Sequence, residues 1–274
     1  MIRPRRPRQG TRRRAPWSLA VPAAIGAIFL LLPLLALLVR APWRSLPGLL
    51  SNPLMLTALR LSLFSASTAT AVSLLLGVPL AWVLARSQWR IVGVLRALVT
   101  LPLVLPPIVG GVALLLALGR HGIVGQYLDS WFGITLPFTT AAVVIAETFV
   151  AMPFLVITVE GALRSANLGL EDAAATLGAR PFTIFRRVTV AQVAPSLVAG
   201  SVLCWARALG EFGATITFAG NFPGTTQTMP LQVYLLLQVD PDAAVALSLV
   251  LLAVSIGALV LLRDRWLRPG GGAL

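Results

Sequence analysis

The chain has 274 residues, 57% of them hydrophobic and only 11% charged, with a formal net charge of +13. That is too apolar for an ordinary soluble domain, and the uncharged runs outlast core helices; the class is polytopic membrane protein. All 22 basic residues are Arg, which excludes a Walker A phosphate loop and Schiff-base chemistry, since both need Lys.

One cysteine, Cys204, and one histidine, His121, leave no cluster for zinc or haem. No metal or cofactor is expected in the chain. Seven arginines lie in the first 14 residues, MIRPRRPRQGTRRR. Beside a membrane span this block is either an anchor for anionic lipid headgroups or a tail that sets orientation. The charge is not spread over a folded surface, so no nucleic-acid partner is expected.

A hydrocarbon core about 30 Å thick takes about 20 apolar residues in a helix. Six stretches qualify: Ser18–Val39, Leu61–Ala85, Ala97–Leu118, Thr139–Val159, roughly Val193–Phe218, and Ala243–Leu262. The first outruns the apolar region of a secretory signal, about 7–15 residues, and reads as a retained helix. With the N-terminus inside, cytoplasmic segments carry 17 of the 22 arginines, which places both termini in the cytoplasm. The expected organisation is all-α: a basic tail (1–17), an N-terminal span and outer connection (18–53), a transmembrane core (54–262) and a cytoplasmic tail (263–274).

The third span holds Pro102, Pro106, Pro107, Gly110 and Gly111. A helix beginning at Pro107 would be too short to cross before Arg120, so the span must start earlier and bend or unwind at the prolines. Such a break either lines a pathway or serves packing. The connection from Gly119 to Phe138 reads as a short surface helix with Trp131 at the interface and His121 exposed. In the fourth span Glu147 has no charged neighbour at helical spacing. It is expected to be protonated or paired with Arg207 of the fifth span.

Between spans four and five lies EDAAATLGARPFTIFRRVTV, residues 171–190. Asn167 suits an N-cap, and Glu171 and Asp172 complement the dipole of the first turns. Ala173, Ala174 and Ala175 favour helix, Gly178 suits a left-handed cap, and Pro181 can open the next helix. Ala174 and Gly178 make a small-residue face, with Phe182 and Phe185 as apolar anchors. The hairpin is a docking surface or a plain connector.

This passage resembles the signature loop of the permease subunits of ATP-binding-cassette importers: Glu-Ala-Ala, three residues, Gly, nine residues, Ile, one residue, Leu-Pro. Here Asp172, Ala173, Ala174, Gly178, Val188, Val190 and Ala191 keep the spacing, with Asp for Glu and Ala191 for the final Pro. The resemblance covers about residues 54–262 and implies a type-I importer permease fold with six transmembrane helices. It implies that Glu171, Asp172, Ala173, Ala174, Gly178, Phe182 and Arg186 form a coupling loop (about 164–190) seated against an ATPase subunit. Such a permease has no ATPase site of its own; ATP and Mg bind the partner ATPase pair. It further implies a second permease copy and an extracytoplasmic oxyanion-binding protein in a bacterial cytoplasmic membrane.

ARALGEFGATITFAGNFPGTTQTMP, residues 206–230, is similar to the fifth span and outer turn of molybdate or tungstate permeases, whose relatives serve sulfate and thiosulfate. Arg207 and Glu211 stand one helical turn apart and can neutralise each other. Ionisable residues in a span usually face protein or water, so Glu147, Arg207, Glu211, Phe212, Thr215, Pro106 and Pro107 are candidates for the pathway or its gate. Internal packing of the ion pair remains the other reading. The turn GNFPGTTQT is expected to close the outer end and MPLQVYLLLQV to lie near the outer surface, with Tyr234 and Trp131 as candidate docking contacts. The expected function is ATP-driven molybdate import. A sulfate-type permease and an ATPase-independent transporter are the alternatives.

Overall fold

The computed structural model describes residues 17–266, and among them every regular element is a helix. The leading seven arginines and residues 267–274, with Arg268, lie outside the described residues. The first helix, α1 (Trp17–Val39), belongs to a unit ending at Ala41, and none of its residues is buried. Its apolar side chains therefore suit lipid rather than a protein core.

The second unit begins at Pro42. A short helix, α2 (Leu46–Leu50), precedes α3 (Pro53–Arg86), whose start is set by Asn52: its side chain accepts from the Leu54 amide at 2.9 Å, and Pro53 takes the first helical position. At 34 residues α3 is longer than the span read from hydropathy, because its polar cap, Asn52, lies well before the apolar run that begins at Leu61. Further helices follow as α4 (Val92–Val104), α5 (Pro107–Leu118), α6 (Gly125–Phe132), α7 (Thr140–Ser165), α8 (Leu168–Thr176) and α9 (Pro181–Ile184). A π-turn (Phe185–Thr189) joins α9 to α10 (Val190–Leu209), and the chain continues through α11 (Gly213–Phe218), α12 (Met229–Val239) and α13 (Pro241–Trp266). Five helical runs are long and apolar enough to cross a membrane. The sixth crossing is shared between α4 and α5.

The core forms where α7 lies against α3 and α10. Burying oily side chains against each other gains little where lipid is equally apolar; close packing of small residues drives such contacts instead. The buried face of α3 follows that rule, with Ser62, Ser65, Ala66, Ala69, Ser73, Gly77 and Ala81. Leu155, Val156 and Val159 of α7 and Cys204 and Ala208 of α10 fill the seam.

Two expected spans are corrected. The fourth continues past Val159 to Ser165, carrying Glu160 and Arg164 with it. The fifth is not one helix from Val193 to Phe218: it stops at Leu209 and resumes at Gly213. Glycines at 210 and 213 weaken the helix there, each by about 1 kcal/mol, and the Glu211 carboxylate starts α11 by accepting from the Ala214 amide at 2.9 Å.

At the end opposite the α8 hairpin, the turn before α12 is tucked into the bundle. Thr226, Gln227 and Thr228 are buried, Thr140 Oγ1 donates to the Thr225 carbonyl at 2.9 Å, and the Met229 amide donates to Ser62 Oγ at 2.7 Å. So α12 begins against α3, while Tyr234, Leu235, Leu237 and Val239 further along it stay exposed. In the connection before α7, Asp129 accepts from Arg120 Nε and from Thr135 Oγ1, both at 3.0 Å, and these bonds hold its carboxyl below the usual carboxylate range.

Helices α5 and α11 approach closely. A Cβ on Gly111 would stand 2.7 Å from the Thr217 Cβ and 2.8 Å from the Ala214 carbonyl oxygen. Gly111→Val should therefore cost about 1–3 kcal/mol by overpacking, read as a lower unfolding temperature in detergent. Gly93→Ala, in open space on α4, should be neutral or stabilise by up to about 1 kcal/mol.

Candidate functional site

Two helix breaks face each other inside the bundle. The first lies between α4 and α5, where Leu105 (ψ 135°) and Pro106 (ψ 132°) are extended and Pro107 opens α5. Pro107 lacks an amide proton and its ring fixes φ, so the helix can restart there but not run through. The second break spans Gly210–Phe212. Gly213 brings them together: a Cβ there would stand 2.8 Å from the Pro107 Cβ. Interrupted helices that meet at membrane depth are the usual scaffold for ion and substrate sites in transporters.

A cleft of about 280 Å³ lies at this junction, lined by Pro107, Ile108, Arg207, Gly210, Glu211, Phe212 and Gly213. Arg207 Nη2 stands 2.6 Å from Glu211 Oε2. The carboxylate side is enclosed, at 1% exposure, whereas the Arg207 side chain keeps 27% open to its surroundings. One guanidinium carries five N–H donors, so the pair presents surplus donors to the cleft and hides its negative partner. A second, apolar cleft of about 360 Å³ shares Gly210 and Phe212 and is completed by Pro230, Val233, Tyr234, Leu237 and Leu251. Phe212 stands between the two, its ring 5.1 Å from that of Tyr234. Tyr234, a candidate outer contact by sequence, is thus engaged with the break.

The remaining pathway candidates sit elsewhere. Pro106 caps the first break, Thr215 is fully buried on α11, and Glu147 is buried on α7. Glu147 Oε1 accepts from Ser65 Oγ of α3 at 2.8 Å. The expected cross-helix pair with Arg207 does not form among the described ion pairs, because Glu211 occupies the guanidinium from the same chain segment.

At the end of the bundle, Asn167 caps α8 by accepting from the Gly169 amide at 2.9 Å. The helix ends in a Schellman motif: the Ala179 amide donates to the Ala174 carbonyl at 3.1 Å and the Gly178 amide to that of Ala175 at 2.9 Å. Gly178 has φ 81°, which a residue with a Cβ adopts only under strain. The hairpin leaves Asp172, Ala173, Phe182 and Arg186 exposed, together with Leu168, Leu170 and Leu177. Leucines and a phenylalanine standing free outside the spans form an apolar surface that suits a protein partner. Ala174 is half-buried, and Glu171 turns inward, accepting from Arg86 Nη2 at 2.8 Å and Thr189 Oγ1 at 3.0 Å. Asp172 is the acid left to the surface.

A third cluster was not read from the sequence. Glu160 is clamped by Arg96 and Arg164, each 2.9 Å away through Nη2. Arg164 stands at i+4 from Glu160, a spacing that signals a pair; nothing in the sequence signals Arg96.

Residues 73–269 match the family model for the binding-protein-dependent transport system inner membrane component. The chain belongs to that family. It is 54% identical over 242 residues to the molybdenum transport system permease protein of Mycobacterium tuberculosis, covering 88% of this chain and 90% of the relative. The molybdenum transport system permease protein of Escherichia coli is 40% identical over 210 residues, 77% of this chain and 92% of that one. A probable molybdenum permease of Haloferax volcanii is 38% identical over 248 residues, 90% and 89% of the two chains. Among solved structures, a bacterial ABC transporter that imports the acidic polysaccharide alginate aligns with a TM-score of 0.66 at 18% identity, over 91% of this chain and 92% of that one. A methionine ABC transporter in inward-facing form aligns at 0.54 and 22% identity, over 78% of this chain and 99% of that one. These likenesses show the fold: that of a type-I importer permease, multi-pass in the membrane.

Within this family fold, the ion pair at the double break can be tested for what it holds together. Arg207→Met would leave the Glu211 carboxylate buried and unpaired, a loss of about 3–5 kcal/mol. The double change Arg207→Met with Glu211→Gln keeps an oxygen to cap Ala214 and should recover most of that. Thermal unfolding of the two purified variants measures the difference.

Proposed function

We propose that the chain is the permease subunit of an ATP-driven importer that carries molybdate, or its near twin tungstate, across a bacterial cytoplasmic membrane. The observation that carries the reading is the 54% identity, over 88% of the chain, to a permease named for molybdenum transport. Two copies are proposed to form the pathway, each docking one ATPase subunit on its α8 hairpin; the ATPases bind ATP and Mg and hydrolyse it. A binding protein delivers the oxyanion to the side opposite the hairpin. The arginine distribution supports a cytoplasmic hairpin and cytoplasmic termini, with the N-terminal arginines near anionic headgroups.

The geometry supports alternating access at the double break. A tetrahedral dianion passing a bare carboxylate in a low dielectric would be repelled. Arg207 cancels Glu211 and still faces the cleft, so the pair offers net donors without a trapped negative charge. Affinity at the break must stay modest, since an ion held tightly there would not leave. Phe212, on the three-residue link between α10 and α11, is the side chain placed to swing between the two clefts as the gate. Docking of the ATPase uses the exposed Asp172, Leu177 and Phe182, while Ala173 and Ala174 let the partner approach the helix closely.

Reconstitution of the chain with its ATPase and binding protein in vesicles tests the substrate. Molybdate and tungstate should stimulate ATP hydrolysis and be taken up; stimulation by sulfate alone would sink the assignment. For docking, Leu177→Asp or Phe182→Asp should lower the ATPase recovered with the permease by about tenfold, the effect of losing one interface anchor. Membrane insertion should be unchanged, and uptake that survives loss of the ATPase would instead indicate a stand-alone transporter.

A further inference from the structure

At the hairpin end of the bundle, three arginines and two glutamates converge on the last turn of α3. Arg86, the final residue of α3, donates to Glu171 of α8 at 2.8 Å, and Thr189 of the π-turn donates to the same oxygen at 3.0 Å. Two residues back, the Leu84 carbonyl accepts from Arg96 of α4 at 3.2 Å and from Arg164 of α7 at 3.3 Å. Both guanidiniums also hold Glu160 Oε1, each through Nε at 3.0 Å.

The chemistry of a helix end explains the convergence. The last four carbonyls of a helix lack internal partners and carry the negative end of its dipole, so guanidinium groups gather there. Glu160, at 9% side-chain exposure, offsets the charge of the two that reach Leu84. Planar forks hold direction as well as charge. A link of this kind transmits displacement better than apolar contact, which slides.

What the cluster joins gives it a second role. Arg86 and Glu171 tie α3 to the hairpin. Arg96 ties α3 and α7 to α4, and Val92 is the one buried residue of α4 in the single chain. Beyond Val92, Leu95 and Val99 add part-buried apolar packing against the same core, and Arg96 stands between them, one turn on from Val92. From there α4 runs unbroken to Leu105 and the junction with α5. We propose that Arg96 and Glu160 are positioning residues that pass movement of the hairpin, through the end of α3, into α4 and so to the break where the cleft lies. The proposal rests on the reading that the hairpin docks the ATPase.

The quantity that reports this role is molybdate moved per ATP hydrolysed by the reconstituted complex. Glu160→Gln and Arg96→Met should each lower that ratio by at least about fivefold, the lower range of a site-to-site coupling. ATPase binding should stay at the level of the unaltered complex. The double variant should be no worse than the singles, since the two residues form one link. Arg96→Lys, which keeps the charge and loses the fork, should fall between and serves if Glu160→Gln does not insert. A ratio that stays constant, with both rates falling in step with the amount of folded complex, would mean the cluster is only structural and overturn the proposal. Additive effects in the double variant would overturn it as well. Leu177→Asp separates the two readings: ATPase retained by that variant would overturn docking on the hairpin, and the relay with it. An unchanged ratio in Glu160→Gln with ATPase bound overturns the relay alone.

Discussion

A helix that stops within a bilayer leaves amide and carbonyl groups without partners, and hydrocarbon supplies none. This chain stops two helices at one level, and Glu211 makes the second stop tolerable. One of its oxygens takes the Ala214 amide that α11 would otherwise leave bare, and the other meets Arg207. The first stop needs less, because Pro107 has no amide to satisfy. With the ends dealt with, Gly213 and Gly111 allow α5 and α11 to close on each other, and the cleft is what remains between the breaks. A single buried carboxylate thus permits an irregular backbone beside the cleft.

The same economy of polar groups governs the hairpin end. Three arginines there settle on the end of α3 and its two acidic neighbours, while Arg180, Arg186 and Arg187 stay exposed. Glu171 joins that set rather than the exposed face, which leaves Asp172 and the bare leucines at the surface. One face of α8 is therefore committed inward and the other outward. The proposed docking role of the hairpin draws on both faces.

Much of this was legible in the chain. Hydropathy located the crossings, the prolines at 106 and 107 announced the first break, and the hairpin's cap, left-handed glycine and restarting proline follow from local chemistry. The second break was not seen, because residues 193–218 are apolar enough to pass as one helix and Glu211 looked like half of an in-helix pair. Its spacing to Arg207 is real, yet its other oxygen ends one helix and begins another. Of the two readings of Glu147, the pairing with Arg207 fails: Ser65 of α3 lies across from it, and no spacing within α7 points there. Tyr234, read as a surface aromatic, is exposed and also meets the Phe212 ring at a tilt.

By itself the sequence determined the membrane class, the number of crossings, the exclusion of lysine chemistry, and the local form of the hairpin, and it set the expected direction of the crossings. Those depend on short-range properties: apolar length, arginine placement, and the conformational limits of proline and glycine. Only the tertiary structure decided which breaks face each other, which carboxylate each arginine holds, and which hairpin acid is free. Those choices join residues dozens of positions apart, Ser65 with Glu147, Arg96 with Glu160, Arg86 with Glu171. In a medium without water each buried polar group must take the partner that packing brings within reach, and packing is a property of the assembled helices.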